Sequence, residues 1–109
     1  MIDLALVKQH LRVVHDDDDG YLQQLCQAAM GNFEQFTGRR LVPDTTPSSE
    51  LAEYDCWLTA DITQGLLILI GQWYENRELT GEKNLAALPG ATYDLWSPYV
   101  LFHLGDARV

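Results

Sequence analysis

Four consecutive carboxylates, Asp16 to Asp19, follow directly on His15 and form the densest group of potential metal ligands in the chain. A calcium loop needs oxygen ligands at its first, third and fifth positions, glycine at the sixth and a bidentate Glu at the twelfth. With Gly20 set at the sixth position, Asp17 and Asp19 fall correctly, but His15 stands at the first position and Cys26 at the twelfth. The spacing does not make a calcium loop. Adjacent aspartates have a simpler use at the start of a helix, where side-chain oxygens accept free N–H groups and negative charge meets the positive end of the helix dipole. The run is read as a helix start.

Neither the histidines nor the cysteines change that reading. His10 and His15 are five residues apart, off the i, i+4 spacing that puts two imidazoles on one helix face. With His103 they read as solvated surface histidines. Cys26 and Cys56 form no CxxC pair, and neither carries a local signature of an activated nucleophile. No GxSxG elbow is present, and the eight glycines are too dispersed for a phosphate loop. The sequence points away from an enzyme, a metal centre and a bound cofactor.

Large rings are more informative. Trp57, Trp73, Tyr93, Trp96, Tyr99 and Phe102 are many for one small domain, and several fall outside any helical stripe. They suit protein–protein contacts, where Trp and Tyr are enriched, and equally the closing of a helix bundle's ends. Both readings stand at this point.

The elements that position these residues follow from periodicity. Asp3 can cap a first helix with Leu4, Val7 and Leu11 on one side, ending near Arg12. A second helix begins within Asp16–Asp19. Its Leu22, Leu25, Cys26, Ala29, Phe33 and Phe36 lie on one face, and Gly38 supplies the left-handed residue that ends many helices. From Arg39 to about Thr59 the pattern gives way to a Pro, Asp, Ser and Thr cluster typical of loops, in which Leu41-Val42 and Tyr54 to Leu58 could pair as a small hairpin. Irregular stretches of this length often act as binding arms.

A third helix spans about Ala60 to Glu78 and is apolar nearly all round: Ile62, Leu66, Leu69, Ile70 and Trp73 on one side, Leu67 and Tyr74 on another. Such a helix is either central to the bundle or covered on one face by a neighbouring subunit. Pro89 opens a short fourth helix through Thr92, Leu95 and Trp96, and Pro98 ends it. The expectation is an all-α fold, one domain over residues 1–109. It holds about four helices, a long irregular loop between the second and third, and an apolar C-terminal segment, 99–109, suited to assembly.

Sixteen acidic residues against seven basic ones give a formal charge of −9, which opposes binding to phosphate backbones. The same charge suits a surface along which DNA slides without sticking. The longest apolar run, Leu66 to Ile70, is far short of the ~20 residues that span a bilayer. Met1-Ile2-Asp3 shows no basic region leading into an apolar stretch, so no secretory signal is predicted, and both cysteines are expected reduced in the cytosol.

Several segments, in this order, resemble one family. They are Leu11-Arg12-Val13 with His15 to Asp19 and Leu22; Thr37-Gly38-Arg39-Arg40-Leu41; Trp73-Tyr74-Glu75-Asn76-Arg77-Glu78; and Leu88-Pro89 with Leu95 and Pro98-Tyr99. Together they are similar to the head–tail connector proteins of long-tailed bacteriophages, over about Leu4 to Tyr99. The resemblance implies a structural subunit that forms a homo-oligomeric ring under the portal protein and extends the DNA channel. It also implies a surface for the next head-completion or tail protein, and DNA passing through without sequence-specific binding. It implies no cofactor, no catalytic residue and no membrane role. The place of action would be the head–tail junction of the virion, reached from the host cytoplasm. Arg39, Arg40, Trp57, Tyr74, Arg77, Trp96, Tyr99 and Phe102 are the candidate subunit or portal contacts, with Arg77 paired to Glu34 or Glu75. The alternative is a small acidic regulator or DNA mimic that binds a host protein.

Overall fold

The computed structural model describes residues 2–76 and 88–101. Among them the elements run α1 (Leu4–Leu11), α2 (Asp19–Thr37), β1 (Arg40–Val42), a 3₁₀ turn at Ser48–Glu50, β2 (Asp55–Trp57), α3 (Ala60–Glu75), α4 (Gly90–Trp96) and a 3₁₀ turn at Ser97–Tyr99. The fold is all-α in character, with four helices among the described residues and one very small sheet.

Asp3 caps α1 as its residue type predicts: its backbone is extended and its carboxylate accepts the Ala5 N–H at 3.1 Å. Arg12 ends the helix in a left-handed conformation, φ 61°, with its N–H turned back onto the Lys8 and Gln9 carbonyls. The aspartate run does lead into α2, but by a different device from side-chain capping. Asp18 occupies the cap position without a side-chain cap bond, and its carboxylate accepts the Tyr74 hydroxyl of α3 at 2.7 Å. Asp16 and Asp19 hold Lys8 of α1 at 2.6 and 2.8 Å. The carboxylates therefore tie α1 and α3 to the head of α2. At the other end Gly38, φ 79°, closes α2 with its N–H on Glu34 O.

The stripe read from α2 is the buried one: Leu22, Leu25, Cys26, Ala29 and Phe33 are buried, with Phe36 packed at the margin. α3 is the central element, packing against α1, α2 and α4. That arrangement explains its apolar circumference, since Ile62, Leu66, Leu69, Ile70 and Trp73 are buried and so is Leu67 on another side. It stops at Glu75, capped by Asn76, short of the expected Glu78.

The expected hairpin is not formed. β1 and β2 pair in parallel, in the register Arg40↔Asp55, Leu41↔Cys56 and Val42↔Trp57. A hairpin would need a tight reversal between the strands, whereas here residues 43–54 cross over, through the 3₁₀ turn, and bring the chain back in the same direction.

Candidate assembly interface

The stretch from Arg39 to Thr59 is an ordered arm, held to α2 and closed on itself by side chains. Glu34 of α2 extends its carboxylate to the Leu41 N–H at 2.9 Å, which fixes β1 against the helix. Arg40 and Asp55 face each other across the sheet in a two-pronged pair, 2.9 and 3.0 Å, and the same Asp55 carboxylate accepts the Ala52 N–H at 2.9 Å. The Arg40 guanidinium holds the Asp55 carboxyl below its ordinary range, and Arg40 itself is raised by the pair. Trp57 donates its indole N–H to Thr46 O at 2.8 Å, which folds the crossover back over β2.

The C-terminal end of the described chain is strapped over the base of this arm. Arg39 Nε donates to Tyr99 O at 2.6 Å, and the Leu101 N–H bonds Thr37 O at 2.9 Å. The Tyr99 hydroxyl reaches the Asp61 carboxylate at 2.7 and 2.9 Å, at the first turn of α3, where the Thr59 hydroxyl also donates to Asp61. Thr59 above all, with Tyr99, lowers the Asp61 pKa, while burial and the carboxylate raise that of Tyr99. The Tyr99 ring stands edge-on to Phe33, centroids 6.3 Å apart. Strap, arm and the start of α3 thus form one hydrogen-bonded unit.

The candidate contact residues divide by position. Arg40 is exposed but paired, Arg39 is half-buried under the strap, and Trp57 is 37% exposed. Tyr74 is half-buried, its hydroxyl on Asp18 and its ring 6.3 Å from that of Tyr21. Trp96, expected at an interface, is instead core: it is 0% exposed, and its indole N–H bonds Ile62 O at 3.2 Å inside the bundle. Its short helix is held so close to α3 that no part of the ring reaches solvent. Arg77 and Phe102 lie outside the described residues, and Glu34, one suggested partner of Arg77, is engaged by Leu41. The sequence reading passed over Asp61 as the partner of Tyr99 and Tyr54 as an exposed ring, 45% accessible. The Pro98-Tyr99 pair was the available signal for the strap; nothing marked Asp61.

Among the described residues no three His, Cys, Asp or Glu side chains are grouped to hold a metal ion. His10 and His15 are exposed. Cys26 and Cys56 are free, and burial raises both thiols, which leaves them protonated and poorly nucleophilic at neutral pH. No described helix is long and apolar enough to cross a membrane.

Residues 1–91 match the family described as phage gp6-like head-tail connector protein. The chain belongs to that family. The match takes in α1, α2, the arm and α3 and reaches the first turn of α4, while the strap at 97–101 lies beyond it. A head–tail connector is a structural component of the virion. Comparison with curated proteins found no match, nor did comparison with solved structures.

Proposed function

We propose that this connector assembles as a homo-oligomeric ring beneath the portal protein, extends the DNA channel and receives the next head-completion or tail protein. The observation that carries the reading is the family match across α1 to α3, with the arm inside the matched range. The arm and the C-terminal segment 99–109 are the assembly elements of this proposal. Arg39, Arg40, Trp57, Tyr74, Tyr99 and, beyond the described residues, Arg77 and Phe102 supply contacts, and Trp96 holds their scaffold together.

The acidic balance has a physical use in this setting. A charge of −9 on each subunit gives a channel wall that repels phosphates, so DNA passes without being retained. A ring whose lumen proved neutral or basic would remove that part of the proposal. The subunit would act at the head–tail junction and wait in the host cytoplasm before assembly.

The test is complementation in vitro. Purified protein is added to DNA-filled heads lacking it, and portal-bound protein, DNA retention and tail joining are scored. Binding at the portal vertex with restored joining is expected. A protein that leaves competent heads unchanged but binds a host DNA-binding protein would replace the connector reading with that of an acidic regulator.

A further inference from the structure

Among the described residues the small sheet leaves one backbone edge incompletely paired. Arg40 donates its N–H to Tyr54 O, and Val42 O accepts the Leu58 N–H, so residues 40 and 42 of β1 face the even-numbered residues of β2. Alternation then turns Leu41 outward on one edge, and Asp55 and Trp57 outward on the other. The Leu41 N–H is taken by Glu34, and the Asp55 N–H turns back onto Ala52 O at 3.1 Å. Among the described residues the Trp57 N–H has no hydrogen-bond acceptor, and Trp57 O receives only the thiol of Cys56. Among the described residues the outer edge of β2 is therefore open at Trp57, and a pair of three-residue strands gains from a third.

Charge indicates what this edge accepts. No Lys or Arg occurs between Leu41 and Asn76, while Asp44, Glu50 and Glu53 are exposed on the arm, as are the rings of Tyr54 and Trp57. A second copy of the chain is a poor occupant. Its seven basic residues are scattered apart from Arg39-Arg40, and those two are bound to Tyr99 O and Asp55. The exposed acids also keep two copies of this edge apart, a common protection of open strands.

We propose that the outer edge of β2 docks an extended, Lys- or Arg-bearing segment of a neighbouring protein, which adds as a third strand beside Asp55–Trp57. Backbone hydrogen bonds give the strand its place. Its cationic side chains lie among Asp44, Glu50 and Glu53 and over the Trp57 ring, where cation–π attraction adds to the charge term. The proposal deepens the connector reading, and rests on it only for the source of the segment.

The test uses the full chain, isotope-labelled for NMR, with the peptide acetyl-(Arg-Val)₃-amide as probe. Expected are amide shifts centred on Asp55, Cys56 and Trp57, and none with the (Glu-Val)₃ counterpart. N-methylation of alternate peptide bonds in the probe should abolish the shifts without touching the protein. An E50K/E53K variant should bind at least tenfold more weakly. Undiminished binding of the N-methylated probe, binding of the acidic peptide, shifts centred elsewhere, or no shift at all would each overturn the proposal. So would concentration-dependent shifts at 55–57 without peptide, which would assign the edge to a second copy. The head-complementation assay separates this from the parent reading: protein that joins heads but ignores the probe loses only the edge proposal, and protein that binds the probe but no head loses only the connector role.

Discussion

The indole of Trp96 sits directly on the backbone of Gly65. A Cβ at position 65 would lie 2.9 Å from Cδ1 of that ring and closer still to Nε1, a separation no packed side chain adopts. Both residues are buried, so neither can swing into solvent. Ala at 65 would add helix propensity worth up to ~1 kcal/mol, but overpacking of this kind costs ~1–3 kcal/mol or more. Because the ring's N–H also bonds Ile62 O, displacement loses a buried hydrogen bond as well. Gly65→Ala should destabilise the protein by about 2 kcal/mol net, read as a drop in thermal midpoint. An unchanged midpoint would show that α4 shifts freely on α3.

Thr92 anchors the same short helix by a second bond, its buried hydroxyl donating to Gly65 O at 2.9 Å. Thr92→Val keeps the volume and removes the donor, leaving the acceptor to its place in the backbone ladder of α3. The expected cost is ~1 kcal/mol, in the range of one neutral hydrogen bond. Denaturant unfolding checks it: the midpoint should fall while the slope stays constant. A loss as large as that of Gly65→Ala would mean that the hydroxyl, and not ring packing, fixes α4.

How far the sequence discloses this architecture depends on the kind of interaction. The stripe Leu22, Leu25, Cys26, Ala29, Phe33 announces its buried face because burial acts at fixed helical spacing. Asp3 and Gly38 announce helix ends because capping is local. The contact of Gly65 with Trp96, thirty-one residues away, follows no local rule, and a glycine inside an apolar helix gave no sign of what lies on it. For the same reason Trp96 reads equally well as an interface ring or a core ring until its neighbours are known. The parallel pairing of β1 with β2 was hidden because three-residue strands carry no direction in their sequence. In the candidate assembly surface, the arm was legible as an irregular stretch, but its partners Glu34 and Asp61 lie on helices, where a single Glu or Asp reads as a solvated charge.

Tyr99 joins the strap to the arm through Asp61, and this makes a dynamic prediction. Tyr99→Phe keeps the ring against Phe33 and deletes the hydroxyl that bonds Asp61. Global stability should fall by about 1 kcal/mol or less, since the bond is exposed. The local effect should be larger: amide hydrogen exchange at the Leu58 to Ile62 segment and at Leu101 should quicken more than at α2 core amides such as Phe33. Uniform acceleration across the chain would indicate simple global destabilisation, with no strap-and-arm unit.

The carboxylates also set how stability varies with pH. Asp16, held by Lys8, Asp55, held by Arg40, and Asp61, held first by Thr59, all have pKa values lowered in the fold. A group with a depressed folded pKa binds protons more readily when unfolded, so its contribution is complete above the ordinary carboxylate value of about 4 and is lost as pH falls through the folded value. Lys8 and Tyr99 are raised, so their contributions are complete below about pH 10 and are lost above it. Thermal midpoints measured across pH should therefore be level through the neutral range and fall at both ends, with the acid limb beginning near pH 4. Replacement of Asp61 by Asn should lower the plateau and flatten the acid limb, because the variant has one fewer carboxylate to protonate. Added salt should weaken the Lys8–Asp16 pair, whose carboxylate is solvent-exposed, more than the Arg40–Asp55 pair, whose carboxylate is covered, and should leave the Asp61 cluster, whose partners are uncharged hydroxyls, less affected. An acid limb unchanged in the Asp61→Asn variant would show that this carboxylate is as readily protonated in the fold as in the unfolded chain.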